Sequence, residues 1–248
     1  MFGINIGKLG CLRKAAAAAF SPASLFAAGE QGAWYDPSDF STLFTDAAGT
    51  TPVTADGQPV GLILDKSGNG NHASQATASA RPLYKTDGTY HWLQFDGVDD
   101  YIGCTWPSIT ALSTLFAGVN RTNSSNWVMF MPSASSSQPF LGVCQAGDSS
   151  APEASSGTPS YTVNNTLVSP SQRSVLNSAI GVGSKKVVTI ENIDLDNAVF
   201  PWSGFGFGLY SGFYPTFNMY STIAVGKQCT PTEITDTETW VNSKTGAY

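Results

Sequence analysis

Charge is scarce in this chain. Only 12 % of its 248 residues are Asp, Glu, Lys or Arg, against about 25 % in ordinary soluble domains. The balance is acidic, with 12 Lys+Arg against 18 Asp+Glu and a formal net charge of −6. The basic residues form no cluster, which argues against a nucleic-acid partner, because phosphate recognition needs a positive patch. No run of 18 apolar residues occurs, so no membrane-spanning helix is expected. Histidine is limited to His72 and His91, and Cys11, Cys104, Cys144 and Cys229 contain no C-x-x-C pair. Clustered zinc ligands are therefore missing, and free, buried thiols are the expectation. Glutamate is also rare, at five residues: Glu30, Glu153, Glu191, Glu233 and Glu238. In place of charge there are 29 Ser and 24 Thr, with 25 Gly and 14 Pro. Hydroxyls and backbone must hydrate such a surface. A hydrophobic fraction of 42 % with 14 Phe, 9 Tyr and 6 Trp is enough for a packed core, so global disorder is excluded. The length suits one large domain with an extension.

That extension is residues 1–32. Lys8, Arg13 and Lys14 precede Ala15 to Ala19, then Phe20-Ser21-Pro22 and Leu25-Phe26. A basic start followed by an apolar run and small residues resembles a secretory signal peptide. The preferred reading is an assembly anchor, since the segment has too few polar side chains to lie solvated and termini stay loose unless tied down. Arg13 to Ala19 could form two helical turns, ending before Pro22. The anchor is expected to bury its apolar side chains against other chains.

From Ala33 to Tyr248 the pattern is all-β, with short apolar runs between Gly, Pro, Asn and Ser clusters. Strands are expected at Ala33–Tyr35, Val60–Leu64, Tyr90–Phe95, Tyr101–Cys104, Ser113–Val119, Trp127–Met131, Phe140–Gln145, Tyr161–Val168, Lys185–Ile190, Phe205–Tyr210 and Met219–Val225. Ser133–Gln138 and Asp148–Ser160 read as loops. One helix is signalled, at the C-terminus. Thr230-Pro231-Thr232-Glu233 is a capping box with proline at the first helical position, and Gly246 is the stop. Ile234, Trp240 and Val241 suggest its buried stripe.

Three segments stand out together. They are Trp34-Tyr35-Asp36-Pro37-Ser38-Asp39, Asp65-Lys66-Ser67-Gly68-Asn69-Gly70-Asn71-His72, and Phe95-Asp96-Gly97-Val98-Asp99-Asp100-Tyr101. In the second, Asp65 can accept loop amides while Gly68 and Gly70 allow positive φ. The third reads as a β-hairpin turning at Asp96-Gly97. In this order, and followed by the terminal helix, they resemble the concanavalin A-like lectin/glucanase (laminin-G-like) superfamily, most closely its versions in tailed-bacteriophage virions.

The resemblance implies a jelly-roll sandwich of two antiparallel sheets. It implies a non-enzymatic virion protein of the tail tip, baseplate or fibre, anchored to other virion proteins through residues 1–33 and assembled as a homotrimer. Host-surface glycan recognition follows from the superfamily's lectin members. A capsid-decorating protein is the nearest alternative. A secreted carbohydrate-binding module, with residues 1–28 as its leader, is the alternative of another class.

The chemistry points the same way. Glycosidases of this fold carry an E-x-D-x-E strand, which sets two carboxyls across one bond. Here only Glu191, Asp194 and Asp196 lie near a strand, and alternation separates Glu191 from the two aspartates unless a bulge intervenes. No G-x-S-x-G, H-E-x-x-H or Walker loop occurs. The resemblance allows calcium, with Asp65, Asp96, Asp99 and Asp100 as ligands, though the same carboxylates could simply cap turn amides. Glycan contacts are expected near turns at Trp202, Tyr210 and Tyr214, beside the loop bearing His72.

Overall fold

The computed structural model describes residues 19–104, 109, 111–123, 159–169, 172–194, 205–207, 214 and 216–248. Their strands are β1 (Gly32–Tyr35), β2 (Leu43–Phe44), β3 (Leu62–Ile63), β4 (Ala73–Ser74), β5 (Leu83–Thr86), β6 (His91–Asp96), β7 (Ile102–Cys104), β8 (Leu112–Arg121), β9 (Ser160–Val163), β10 (Thr166–Val168), β11 (Lys185–Asp194), β12 (Phe205–Phe207) and β13 (Thr216–Val225). Helix α1 spans Arg173–Ile180 and helix α2 spans Pro231–Thr245. All pairings are antiparallel. One sheet of eight strands runs β10-β9-β11-β8-β13-β6-β5, with β1 also on β13; the other, of five, runs β12-β7-β4-β3-β2. The chain is an all-β sandwich with a C-terminal helix.

Alternation builds the core. Leu115, Ala117 and Val119 of β8 share one buried cluster with Leu93 and Phe95 of β6, Phe217 and Met219 of β13, and Leu43, Ile63, Ala73 and Ile102 of the smaller sheet. Phe95 and Phe217 stack with centroids 4.5 Å apart. Two bulges break the alternation. On β13 the register slips between Met219 and Ser221, leaving Tyr220 as the extra residue. On β11 it slips between Ile190 and Ile193, where Asn192 takes φ 60°. Inward positions are therefore Val188 and Ile190 before that bulge but Ile193 after it. Such an insertion reverses which face each later residue uses.

The outer face of the large sheet carries a third layer. Phe116, Val187, Ile223 and Val225 form a second cluster with Val241 of α2 and with Leu25 and Phe26. Leu25 and Phe26 lie in a short 3-10 turn, Pro22–Phe26, capped by Ser21. The anchor expected over residues 1–32 is thus no free arm from Phe20 on. Leu25 and Phe26 are buried within the chain itself, because the outer face of β13 offers apolar surface that α2 leaves open. Gly32 then brings β1 against β13, where a Cβ would collide with the Ala224 carbonyl. Residues 1–18 lie outside the described residues.

Helix α2 begins with the expected capping box. Thr230 accepts the Glu233 amide, the Glu233 carboxylate accepts the Thr230 amide, and Gly246 closes the helix in the left-handed region. Its buried line differs from expectation: it is Thr237, Glu238, Val241 and Thr245, with Ile234 and Trp240 only half-buried. Threonines serve there because their hydroxyls return to their own helix, Thr237 to the Glu233 carbonyl and Thr245 to that of Val241. Gly118 of β8 lies directly beneath, so that a Cβ there would meet Thr245.

Two further expectations change. Tyr161–Val168 is not one strand but the hairpin β9–β10, turned by Asn164 and Asn165 at φ 48° and 58°, the left-handed pair a tight hairpin requires. Phe95–Tyr101 is not a hairpin either. Its strand β6 belongs to the large sheet and β7 to the small one, so this loop carries the chain across the sandwich. The strands expected at Trp127–Met131 and Phe140–Gln145 lie outside the described residues.

Candidate functional site

The loop that follows β3 is organised by one carboxylate. Asp65 is 8 % exposed. Its Oδ1 accepts the amides of Trp34 and Ser67, both at 2.8 Å, and its Oδ2 accepts the Ser67 hydroxyl at 2.7 Å and the Asn71 amide at 3.0 Å. The Trp34 carbonyl accepts the Lys66 amide. The free edge of β1 is therefore closed by a loop arriving from the opposite sheet, which is how an unpaired strand edge is made safe. Asn71 and Asn69 donate to the Gly32 carbonyl, and Tyr35 donates to that of Asn71 at 2.5 Å. The ring Nδ1 of His72 accepts the Asp65 amide at 3.0 Å, so His72 is a loop brace.

Charge gathers beside this loop. Asp36 has its side chain 3 % exposed, between the ammonium groups of Lys66 at 3.4 Å and Lys244 at 3.3 Å. Lys66 also binds Asp39 at 2.7 Å, and Lys244 donates to Ser38. Each lysine lies over an indole, Lys66 over Trp34 at 4.7 Å and Lys244 over Trp240 at 5.1 Å, and the two indoles meet edge to face at 5.4 Å. Residues from Trp34–Asp39, the Asp65 loop and α2 thus form one joint between both sheets and the helix. The Lys66 hydrogen bond holds the Asp39 carboxyl below its usual range.

The crossing loop presents the other carboxylates. Ligand atoms of Asp96, Asp99 and Asp100 lie within 4.8 Å of one another. The Asp96 Oδ1 accepts the amides of Val98 and Asp99, and the Asp100 Oδ2 accepts the Asp96 amide at 2.9 Å. Burial pushes the Asp100 carboxyl up to about 6, and the neighbouring Asp96 and Asp99 charges add to the rise. A hard cation takes oxygens of this kind. Asp65 does not join them, since both of its oxygens are spent on the loop beneath β1.

The remaining candidates fall elsewhere. Glu191 accepts the Ser160 hydroxyl at 3.0 Å. It lines a cleft of about 270 Å³ with Thr114, Asn192, Gln228, Cys229, Pro231 and Ile234, and among the described residues it is the one acidic group there. Cys229 is free there, its thiol pushed up to about 11 by burial. Cys104 meets the Tyr35 hydroxyl at 3.3 Å. Tyr214 is half-buried in irregular chain. Trp202, Tyr210, Asp196, Cys11 and Cys144 lie outside the described residues. Comparison with protein-family models, curated proteins and solved structures finds no match to this chain.

Proposed function

We propose that this chain is a non-enzymatic structural protein of a tailed-bacteriophage virion, placed at the tail tip, baseplate or fibre as a homotrimer, and that it takes part in recognising glycans on the host surface. One observation carries the reading. The motif residues behind the resemblance are engaged in framework bonds: Asp65, Ser67, Asn69, Asn71 and His72 brace β1, and Asp36, Asp39 and Lys66 join the sheets to α2. A frame so built leaves recognition to side chains on its faces and loops.

The secreted alternative is disfavoured by Leu25 and Phe26. Removing a leader that ends at residue 28 would strip both from the layer that covers β13. Antibody raised against the chain should label purified particles at the tail, and particles free of it would overturn the reading. Incubation with host envelope polysaccharide should leave chain length unchanged, whereas shortened chains would overturn its non-enzymatic part. A particle reconstruction showing isolated single copies would remove the trimer.

A further inference from the structure

The Asp36 carboxylate, buried just past the end of β1, divides its two oxygens between different kinds of partner. Oδ1 accepts the Ser38 amide at 3.1 Å and the Ser38 hydroxyl at 2.6 Å. Oδ2 faces two ammonium groups, Lys66 at 3.4 Å and Lys244 at 3.3 Å. One cation would neutralise the carboxylate, and here there are two. The second also acts on the first oxygen, since Lys244 donates to the Ser38 hydroxyl at 2.7 Å and so turns that hydroxyl toward Asp36. An acyl oxygen between two donors, with a protonated amine beside the other oxygen, is the arrangement that stabilises a tetrahedral adduct.

Lys66 is the better placed nucleophile. Its Nζ lies 2.7 Å from Asp39 Oδ2, a second carboxylate that can take a proton from it. The Trp34 ring covers it, with the centroid 4.7 Å from Nζ, and Trp240 closes the side of Lys244. Withdrawal from water favours the neutral forms of amine and acid. Holding the two groups in contact removes most of the entropic barrier to joining them. Burying an ion pair is costly, and an amide in its place removes both charges.

We propose that Lys66 and Asp36 join through an amide bond between their side chains, formed by the folded chain itself with loss of one water. A proton passes from the Lys66 ammonium to Asp36 Oδ2, leaving an amine beside a carboxylic acid. The Nζ lone pair attacks Cγ, and the carbonyl π pair moves onto Oδ1, where the Ser38 N–H and O–H hold the charge. Asp39 takes the second proton from Nζ. Lys244 gives a proton to Oδ2, the Cγ–Oδ2 bond breaks, and water leaves. That water returns the proton from Asp39 to Lys244. The product carbonyl keeps both Ser38 bonds, and its N–H faces Asp39. The bond ties the end of β1 in the large sheet to the loop after β3 in the small one. It closes a loop that the unfolded chain would otherwise leave free. It forms within one chain and is independent of where the chain assembles.

The test is intact mass spectrometry of the denatured full chain, followed by tryptic digestion. The wild-type chain should be lighter by one water than its sequence requires. Its digest should hold one branched species that joins the Asp36 and Lys66 peptides, uncut at Lys66. Lys66→Arg keeps the charge but forms no such bond, and should carry its full mass. Asp39→Asn should slow the appearance of the branched species after refolding by about tenfold or more. A wild-type chain of full mass overturns the proposal. So does a water loss confined to a single peptide, or one that persists in Lys66→Arg. A branched species formed as fast in Asp39→Asn overturns the proton path. The wild-type digest decides the bond itself, whether or not either variant folds.

Discussion

Replacing Asp65 with Asn tests whether the central motif is architecture. The substitution keeps the shape and exchanges one carboxylate oxygen for an NH₂ group. Each oxygen of Asp65 accepts from two donors: Oδ1 from the amides of Trp34 and Ser67, Oδ2 from the Ser67 hydroxyl and the Asn71 amide. Whichever way the new amide turns, its NH₂ faces two donors and two bonds are lost. Hydrogen bonds to a charged group are worth about 1.5–3 kcal/mol each, and a buried N–H left unpaired adds to the loss. The Ser67 hydroxyl can rotate away, which recovers part of the loss. About 3–5 kcal/mol of destabilisation is expected. A domain of this size loses about 2–4 °C in Tm per kcal/mol, so the midpoint should fall by about 6–20 °C. Urea titration followed by tryptophan fluorescence gives the free energy directly, with the slope unchanged if the frame unfolds as one unit. Asp99→Asn, on the neighbouring crossing loop, is the control and should cost nothing. A loss below about 1 kcal/mol in Asp65→Asn would refute the reasoning, because no arrangement of these four donors around an amide is that cheap.

Asp100 carries the opposite sign. Its folded carboxyl is raised to about 6, so its contribution to stability is full below the unfolded value near pH 4 and is lost as pH rises toward 6. Asp100→Asn keeps an acceptor for the Asp96 amide and should be about 1–2 kcal/mol more stable than wild type at pH 8, with no gain at pH 4. Glu238 is buried against Thr189, whose hydroxyl it accepts at 2.6 Å, and burial raises its carboxyl as well; Glu238→Gln should flatten the fall in Tm between pH 5 and 8 in thermal melts. Replacing Leu25 and Phe26 together with Ala should cost about 4–8 kcal/mol by urea titration, since two buried large side chains are removed. Thr230→Ala breaks the capping box and should cost about 1 kcal/mol in the same urea assay.

What the sequence could reveal follows from how local each signal is. The capping box, the Gly246 stop and the strands with plain alternation, such as Leu115 to Val119, are written within a few residues and appear where expected. The Asn164–Asn165 turn was legible in principle, because two adjacent asparagines are a known route to paired positive φ. The Asp96–Gly97 pair misled for a related reason. It has hairpin chemistry, yet which sheet the next strand joins depends on β4 and β12, far away in sequence. The burial of Leu25 and Phe26 was illegible for the same cause, since an apolar segment does not say whether its cover lies in its own chain.

A polar row across the large sheet shows where local reading fails most. Alternation on β6 makes Trp92 and Gln94 look like an ordinary outward pair, and Asn120 and Asn218 look like strand-end polar residues. Only the pairing register puts Gln94, Asn218, Asn120 and Lys185 side by side. Tyr220 reaches them through a bulge, and nothing in Met219-Tyr220-Ser221 announces it. The bulge also divides β13 in function. Before it the strand pairs with β6 and carries the amides, and after it the strand pairs with β1 and carries Ile223 and Val225 under the N-terminal turn and α2. A strand without that insertion would turn Ile223 and Val225 into the core and lose the apolar seat of the third layer. The same residue that adds a buried aromatic to the polar row therefore lets one strand seat both the helix layer and that row. Deleting Tyr220 should damage both, and a variant that kept the α2 packing while losing only the aromatic would contradict this coupling.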